Sequence, residues 1–424
     1  MKKHIITALL VCLATTASAQ VANKVTSLIG SWNGKLKVGA NSLTLVFHFE
    51  QADGYVVCTF DSPDQGAKGM GVYKEYLSED SVALKMPNIG ATYRARLENG
   101  KLTGTFSQLG MNFPLTLEKG IYRPNRPQTP VAPFPYKSEE VTFCNSADNV
   151  TLAGTLTYPA GYEKMKDVPV VIMVTGSGLQ NRDEELFYHK PFLVIADYLA
   201  RHGIASLRYD DRGFEASASG DNTAGNATTP DYRRDAEAGI KYLRELGKFG
   251  PIGVIGHSEG GNIAFMLGSG KSVDFVISMA GVGTKADVAL TAQYNHIVTQ
   301  QGQGMPISVE QYRANVKSLN SSWMNWFIDY DPTADIAATT CPVLAINGDK
   351  DCQVISSLNL KAIEKALPAN SLTLIKEYPS LNHLFQRCAS GLPTEYSTIE
   401  ETIAIEVLND IAVWINGLKG KTGL

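Results

Sequence analysis

The sequence lacks the features that mark nucleic-acid-binding and membrane-spanning proteins. It has no dense run of Lys and Arg, and its formal net charge is −4. The sequence therefore lacks the concentration of positive charge that is typical of a nucleic-acid-binding surface. No segment approaches the run of about 18 apolar residues that a membrane-spanning helix requires. We therefore expect neither a nucleic-acid partner nor a membrane span.

Cysteine is also scarce, and none of the six cysteines forms a C-x-x-C pair. A zinc cluster is therefore not expected, and nothing in the sequence calls for another metal or an organic cofactor. Five cysteines follow residue 20, and an odd number leaves at least one thiol unpaired in an oxidising compartment. A disulfide such as Cys352 with Cys388 and a set of buried free thiols both fit this pattern.

The first 19 residues differ in character from the rest. Lys2 and Lys3 precede an apolar stretch from Ile5 to Ala14, and the sequence Ala-Ser-Ala follows at 17–19. A cationic start, a short apolar core and an A-x-A site form the pattern of a secretory signal peptide. We expect residues 1–19 to be removed and the mature protein to be exported, either to a bacterial periplasm or to the outside.

Residues 20–122 are predicted to form an all-β domain. Short alternating or β-branched runs such as "SLTLVFHFE" and "TYRARLE" recur, separated by turn signals such as "ADG" and "ENG". This density of strands predicts a small antiparallel barrel or sandwich. The segment 123–137 follows, and its five prolines within "RPNRPQTPVAPFPY" predict an extended, semi-rigid linker.

Residues 138–424 change to a pattern in which buried strands alternate with helices. Apolar strands flanked by helices predict a mostly parallel sheet covered on both faces, and ligands bind at the carboxyl ends of the strands in such sheets. Residues 284–336 interrupt the alternation with extra helical patterns, which we interpret as a cap inserted over the site. The predicted core strands are 169–176, 204–210, 251–258, 275–281, 342–348 and 372–378.

A candidate nucleophile lies in "PIGVIGHSEGGNIAFMLG", residues 251–268, where Ser258 stands between Gly256 and Gly260. An apolar strand precedes this G-x-S-x-G pattern and an apolar helix follows it, which is the context that exposes a serine hydroxyl above a sheet. We predict that Ser258 is a nucleophile. The alternative is an inert serine in a glycine-rich turn.

A serine hydroxyl needs a base, and the base needs a carboxylate that orients it. His383 lies after the last predicted strand and Asp351 lies after the preceding one, so both belong to the edge of the sheet that carries Ser258. The chain order Ser258, Asp351, His383 is the one that accompanies a serine in this context. Asp349, the other carboxylate nearby, is expected to shape the turn.

Two backbone N–H groups are needed to stabilise an oxyanion. We predict that they belong to Glu259, the residue after the nucleophile, and to Ser177, in the glycine-rich loop after the first core strand. Gln180 in the same loop, with Tyr294 and Trp326 in the cap segment, are candidates for contact with substrate. A solvated loop and an aromatic core stripe are the respective alternatives.

Five motifs in residues 138–424 together resemble the bacterial secreted α/β-hydrolase family of serine esterases. They are similar to its acyl- and cinnamoyl-esterase-like members, which are related to prolyl-oligopeptidase-type hydrolases. The resemblance implies an α/β-hydrolase fold with Ser258 as nucleophile, Asp351 as acid and His383 as base. The sequence departs from the family at Glu215, where a glycine is expected. The motifs are "TGSGLQNRDE", "LRYDDRG", "GHSEGG", "NGDKDCQV" and "LNHLFQ".

We therefore expect a serine hydrolase that cleaves short acyl or aryl esters, either small molecules or carbohydrate-linked, through an acyl-enzyme and without a cofactor. One alternative is a prolyl-oligopeptidase-like peptidase, although such enzymes usually carry a propeller with repeats of about 40–50 residues, and none is visible. The other is a non-catalytic ligand-binding protein with the same fold. Acyl and alcohol specificity and the oligomeric state, a dimer included, are left open.

Overall fold

A computed structural model describes residues 26–39, 41–52, 54–218, 224–302 and 304–419. The predicted signal peptide lies outside the described residues. The chain divides into two compact units between residues 125 and 126. In the described ranges, no helix is long and apolar enough to cross a bilayer, and Cys58, Cys144, Cys341, Cys352 and Cys388 are free thiols.

The first unit is an antiparallel sheet of nine strands, counted over its described residues, that curls around one apolar core. Strands β1 to β4 pair in chain order, strands β5 to β9 do the same, and β1 pairs with β9, so that β4 and β5 are the two ends of the strand order. Trp32 is buried in this core and its indole N–H donates to the carbonyl of Leu28. The strands are β1 (Gly30–Val38), β2 (Asn41–Ala52), β3 (Tyr55–Ser62), β4 (Ala67–Gly71), β5 (Tyr73–Leu77), β6 (Ser81–Met86), β7 (Ala91–Glu98), β8 (Lys101–Gln108) and β9 (Met111–Lys119).

The second unit contains a mixed sheet whose order is β10-β11-β13-β12-β14-β15-β16-β17. The first two strands form an antiparallel hairpin, and the pairings from β13 to β17 are all parallel. Every residue of the central parallel strands is buried, as expected for strands covered on both faces. The strands are β10 (Ser138–Asn145), β11 (Val150–Thr157), β12 (Val170–Val174), β13 (Ala205–Tyr209), β14 (Ile252–His257), β15 (Phe275–Met279), β16 (Val343–Gly348) and β17 (Leu374–Tyr378).

Helices cover both faces of this sheet, and two apolar clusters fill the layers between helices and strands. The predicted α/β-hydrolase fold, preceded by a barrel-like antiparallel sheet, is confirmed. The helices of the described residues are α1 (Pro191–Arg201), α2 (Thr229–Leu246), α3 (Glu259–Ser269), α4 (Ala286–Gln301), α5 (Val309–Lys317), α6 (Ser322–Phe327), α7 (Thr333–Ala338), α8 (Ser356–Ala366) and α9 (Ile405–Gly417).

The strand order reverses between β12 and β14, which places a crevice at the carboxyl ends of these two strands. From β12 the chain crosses to β13 on one side, and it then returns to β14 on the other side and continues outward to β17. Such a reversal is where ligands bind in open α/β sheets. Helices α4, α5 and α6 lie within the predicted cap segment, between β15 and β16.

The proline-rich segment belongs to the second unit from residue 126 onward. The guanidinium of Arg126 donates to the carbonyls of Phe187 and Ile399, and the side chain of Gln128 exchanges hydrogen bonds with the backbone of Ile403. Residues 126–128 thus bind the segment that follows β17 through hydrogen bonds.

Candidate active site

Ser258 occupies the tight turn between β14 and α3, with φ 55° and ψ −119°. An L-residue reaches this conformation only under strain, which costs on the order of 1–3 kcal/mol and is typical of functional sites. A Cβ on Gly256 would overlap the carbonyl of Gly260, and a Cβ on Gly260 would overlap the carbonyl of Val174. The two glycines of the motif are therefore required by close backbone contact.

His383 and Asp351 form a buried hydrogen-bonded pair. The His383 ring nitrogen Nδ1 lies 2.8 Å from Asp351 Oδ2, and Asp351 Oδ1 accepts the N–H groups of Gln353 and Val354, each at 2.8 Å. These two backbone bonds aim the second carboxylate oxygen at the imidazole. Asp349, by contrast, accepts the N–H of Ser380 and shapes the turn.

A cavity of about 560 Å³ has Ser258 and His383 on its wall. The structure thus places the predicted nucleophile and base at one opening, with the acid behind the base. In the part of the chain that the structure describes, Ser258 and His383 lie on this wall without a mutual hydrogen bond. Such contacts are often loose before substrate binds. Many of the other wall residues are apolar, including Leu179, Leu186, Val282, Leu290, Trp323, Phe327 and Leu384.

The loop after β12 brings Ser177 to the same cavity. The N–H of the preceding Gly176 is bonded to Glu184 Oε1 at 3.0 Å, and the N–H of Ser177 is the next one along the loop. Glu259 is the first residue of α3, and a first helical N–H has no acceptor within its own helix. Both predicted oxyanion donors thus border the cavity.

The side chain of Glu259 is buried beside the nucleophile and anchors the cap. Its carboxylate accepts the Thr229 hydroxyl at 2.6 Å and the Trp323 indole N–H at 2.8 Å. Burial raises the pKa of Glu259, and the hydrogen bonds from Thr229, Trp323 and Ser177 act to lower it. One carboxylate therefore connects helix α2, helix α6 and the loop after β12.

The cap contributes aromatic side chains to the cavity wall. Gln180 lines the cavity, and so do Trp323, Phe327 and Tyr312, whereas Tyr294 and Trp326 are not among its lining residues. Contact of Gln180, Tyr294 and Trp326 with substrate stays a prediction. Helical spacing is the reason that Trp323 lines the cavity and Trp326 does not. Trp323 and Phe327, four residues apart on α6, stack at 5.2 Å and face the site, whereas Trp326 stacks on Tyr330 at 5.0 Å on the adjacent helix face.

Trp323→Phe is expected to weaken the attachment of the cap. The ring and its stacking on Phe327 remain, but Glu259 loses a donor, and a hydrogen bond to a charged group contributes about 1.5–3 kcal/mol. We expect a lower free energy of unfolding and a several-fold higher KM for an ester, measured by denaturant titration and steady-state kinetics. Trp326→Phe, the matched control, should leave KM unchanged. A wild-type KM in Trp323→Phe would contradict this role.

Charged side chains of "LRYDDRG" brace the backbone below the site. Arg182 donates to both carboxylate oxygens of Asp210, and Arg212 does the same to Asp235. Glu215, where the resembling family has glycine, adopts φ 43°. The loop therefore keeps a left-handed backbone at this position without a glycine.

Asp211 is buried behind the loop that carries Ser177, where it accepts the Gln180 N–H at 2.8 Å and contacts the Thr175 hydroxyl. Burial raises the pKa of Asp211 to about 8, although these hydrogen bonds act in the opposite direction. The folded state therefore holds a proton that the unfolded chain releases near pH 4.

The contribution of Asp211 to the stability of the protein is expected to fall as the pH rises from about 4 to about 8, because the folded-state pKa of Asp211 lies above its unfolded value. Asp211→Asn keeps an acceptor and cannot ionise. The difference in unfolding free energy between pH 5 and pH 8 should therefore shrink by about 3–4 kcal/mol in the variant. Denaturant titrations at both pH values measure it, and equal pH dependence in the two proteins would exclude a buried proton on Asp211.

Glu184, a candidate pocket residue in the sequence, and His257 form a pair that sequence reasoning did not foresee. His257 Nδ1 lies 2.9 Å from Glu184 Oε1, and His257 Nε2 lies 2.9 Å from the carbonyl oxygen of His383. The only sequence signal was their position, since His257 precedes Ser258 and Glu184 follows the glycine-rich loop. Among the described residues, no cluster of three or more His, Cys, Asp or Glu side chains could hold a metal ion.

Comparison with known proteins identifies relatives of the second unit. The family model described as serine aminopeptidase, S33, matches residues 189–311, a segment that contains Ser258 and ends before Asp351. Esterase EstD of Thermotoga maritima is 25% identical over 279 residues, which cover 62% of this chain. The chain spans 65% of the length of that curated relative. The resemblance to α/β-hydrolase esterases is thereby confirmed.

Solved structures similar to this chain include two esterases. The Pyrococcus furiosus esterase Pf2001 aligns with a TM-score of 0.46 and 18% identity, covering 71% of this chain and 100% of the other. Est1E from Butyrivibrio proteoclasticus, solved with bound ferulic acid, aligns with a TM-score of 0.44 and 17% identity, covering 64% and 98%.

Proposed function

We propose, for a chain that has the α/β-hydrolase fold and an esterase among its sequence relatives, that it hydrolyses carboxylic esters through an acyl-enzyme on Ser258. The observation that carries the proposal is the hydrogen bond between His383 and Asp351 at a cavity shared with the strained Ser258 turn. A nucleophile, a base and an orienting carboxylate at one opening are the parts that acyl transfer requires.

The proposed reaction begins when the Ser258 hydroxyl attacks the acyl carbon and His383 takes its proton. Asp351, hydrogen-bonded to Nδ1, keeps Nε2 free to accept that proton and stabilises the resulting imidazolium. The N–H groups of Ser177 and Glu259 would hold the oxyanion. The alcohol leaves with the proton from His383, and water then repeats the sequence on the acyl-enzyme.

The composition of the cavity wall favours a neutral substrate with an apolar acyl or aryl group. Many wall residues are aliphatic or aromatic, and among the described lining residues none is Lys or Arg. Glu185 is on the wall, so a carboxylate on the substrate would meet a like charge there. We therefore propose short acyl or aryl esters without a negative charge as the substrate class.

A peptidase is the second candidate, because the matching family model is described as a serine aminopeptidase. The test is to compare kcat/KM of the purified protein for 4-nitrophenyl acetate, butyrate and octanoate, methyl ferulate, monomethyl succinate and L-proline 4-nitroanilide. Hydrolysis of the neutral esters ahead of the other two supports the proposal. Faster cleavage of the anilide would replace it with the peptidase, and no hydrolysis of any substrate would leave a ligand-binding protein.

We also propose that the protein works outside the cytoplasm. The proposal rests on the cationic start, the apolar stretch and the Ala-Ser-Ala sequence within residues 1–19. The mature N-terminus, read by mass spectrometry after expression in a bacterium, should be Gln20. An intact Met1 on the folded protein would overturn this assignment.

A further inference from the structure

We infer that Glu184 and His257 form a buried positioning pair that holds the oxyanion loop and the loop of the catalytic histidine at a set distance. The inference rests on the proposed function, since it assigns a role to residues around the same site. Neither side chain is needed as nucleophile, base or acid in the proposed reaction.

An unbroken chain of hydrogen bonds runs between the two loops. The Gly176 N–H donates to Glu184 Oε1 at 3.0 Å, and the same oxygen lies 2.9 Å from Nδ1 of His257. On the other side of the ring, Nε2 lies 2.9 Å from the carbonyl oxygen of His383. The chain thus starts next to the proposed donor Ser177 and ends on the backbone of the proposed base.

The hydrogen-bonding partners determine where the protons are. A carbonyl oxygen can only accept, so Nε2 of His257 carries a proton. One further proton lies between Nδ1 and the Glu184 carboxylate, and the pair is neutral as a whole. Burial acts to lower the pKa of His257, but the charge of Glu184 and the hydrogen bonds outweigh it and raise the pKa.

The sheet does not connect the two loops directly. The oxyanion loop follows β12 and the His383 loop follows β17, and three strands separate β12 from β17. His257 ends β14, beside β12, and its ring contacts the His383 ring with 4.7 Å between centroids. The pair therefore bridges the ends of non-adjacent strands, where no strand pairing is available.

Glu184 is buried and has a strained backbone conformation. This residue adopts φ 53°, which is unfavourable for a side chain with a Cβ, and only 4% of its surface is exposed. Oxyanion donors lose effect steeply when displaced, since an error of about 1 Å costs on the order of 100-fold in rate. A bond from Glu184 to the loop would prevent that displacement.

Glu184→Ala and Glu184→Gln test the positioning role, with 4-nitrophenyl acetate as substrate and active sites counted by titration with a fluorophosphonate. Glu184→Ala is expected to lower kcat per active site by about 10- to 100-fold with KM within about threefold. Glu184→Gln should recover most of that loss, because its amide oxygen accepts the Gly176 N–H and its NH₂ donates to Nδ1 of a neutral His257.

The double variant Glu184→Ala/His257→Phe separates a coupled pair from two independent structural residues. If the pair acts as a unit, the kcat of the double variant is about as low as the lower of the two values for Glu184→Ala and His257→Phe. A fold loss in kcat equal to the product of the two single losses would overturn the coupling. An unchanged kcat in Glu184→Ala, with an active wild type, would overturn the positioning role alone. An inactive wild type would instead overturn the proposed function together with the role that rests on it.

Discussion

Ser258→Ala is expected to lower kcat for 4-nitrophenyl acetate by about 10⁴- to 10⁶-fold, because no acyl-enzyme forms without the hydroxyl and only the residual effect of binding and the oxyanion donors remains. The substitution should leave the fold intact. Steady-state and single-turnover kinetics measure the loss, and thermal unfolding checks the fold.

Ser278→Ala is the matched control for this variant. Ser278 is a buried serine in the neighbouring strand β15, and its hydroxyl is without a hydrogen-bond partner among the described residues. Its removal should leave kcat unchanged. More than about 1% of wild-type activity in Ser258→Ala would mean that another group attacks the ester, since the residual rate should be far lower.

Asp351→Asn is expected to lower kcat by about 10³- to 10⁴-fold through the wrong tautomer of His383. The N–H groups of Gln353 and Val354 already point at Oδ1, so the amide oxygen of Asn must stay there and its NH₂ must face Nδ1 of His383. An imidazole that accepts at Nδ1 carries its proton on Nε2 and cannot take the proton of Ser258.

Asp349→Asn provides the control for the acid, two residues away in the same turn. The Asp349 carboxylate accepts only the Ser380 N–H among the bonds described for its side chain, and an amide oxygen can replace it. Activity within about threefold of wild type is expected for this variant, as for most substitutions that keep their hydrogen bonds. A loss in Asp349→Asn that equals the loss in Asp351→Asn would show that the turn, and not the tautomer, is what both substitutions damage.

The order of the proposed catalytic residues along the chain could be predicted from simple rules. The side chains that surround them could not. Ser258, Asp351 and His383 each follow a strand pattern, and parallel strands bring their carboxyl ends to one edge. Trp323 and Trp326 were both candidates for the pocket, because the two are three residues apart on a short helix and sequence alone does not say which face turns inward. The assignment of the three residues to catalysis stays a prediction until the variants are measured.

The sequence by itself determined the hydrolase-type alternation of strands and helices, the glycine turn at Ser258 and the chain order of the proposed triad, because local periodicity and turn chemistry are written in neighbouring residues. Only the tertiary structure decided which distant side chains share hydrogen bonds. Glu184 meets His257 across 73 residues, and Trp323 meets Glu259 across 64. Contacts over such separations depend on how loops and inserted helices pack on the sheet, and single-chain patterns carry no signal of that packing.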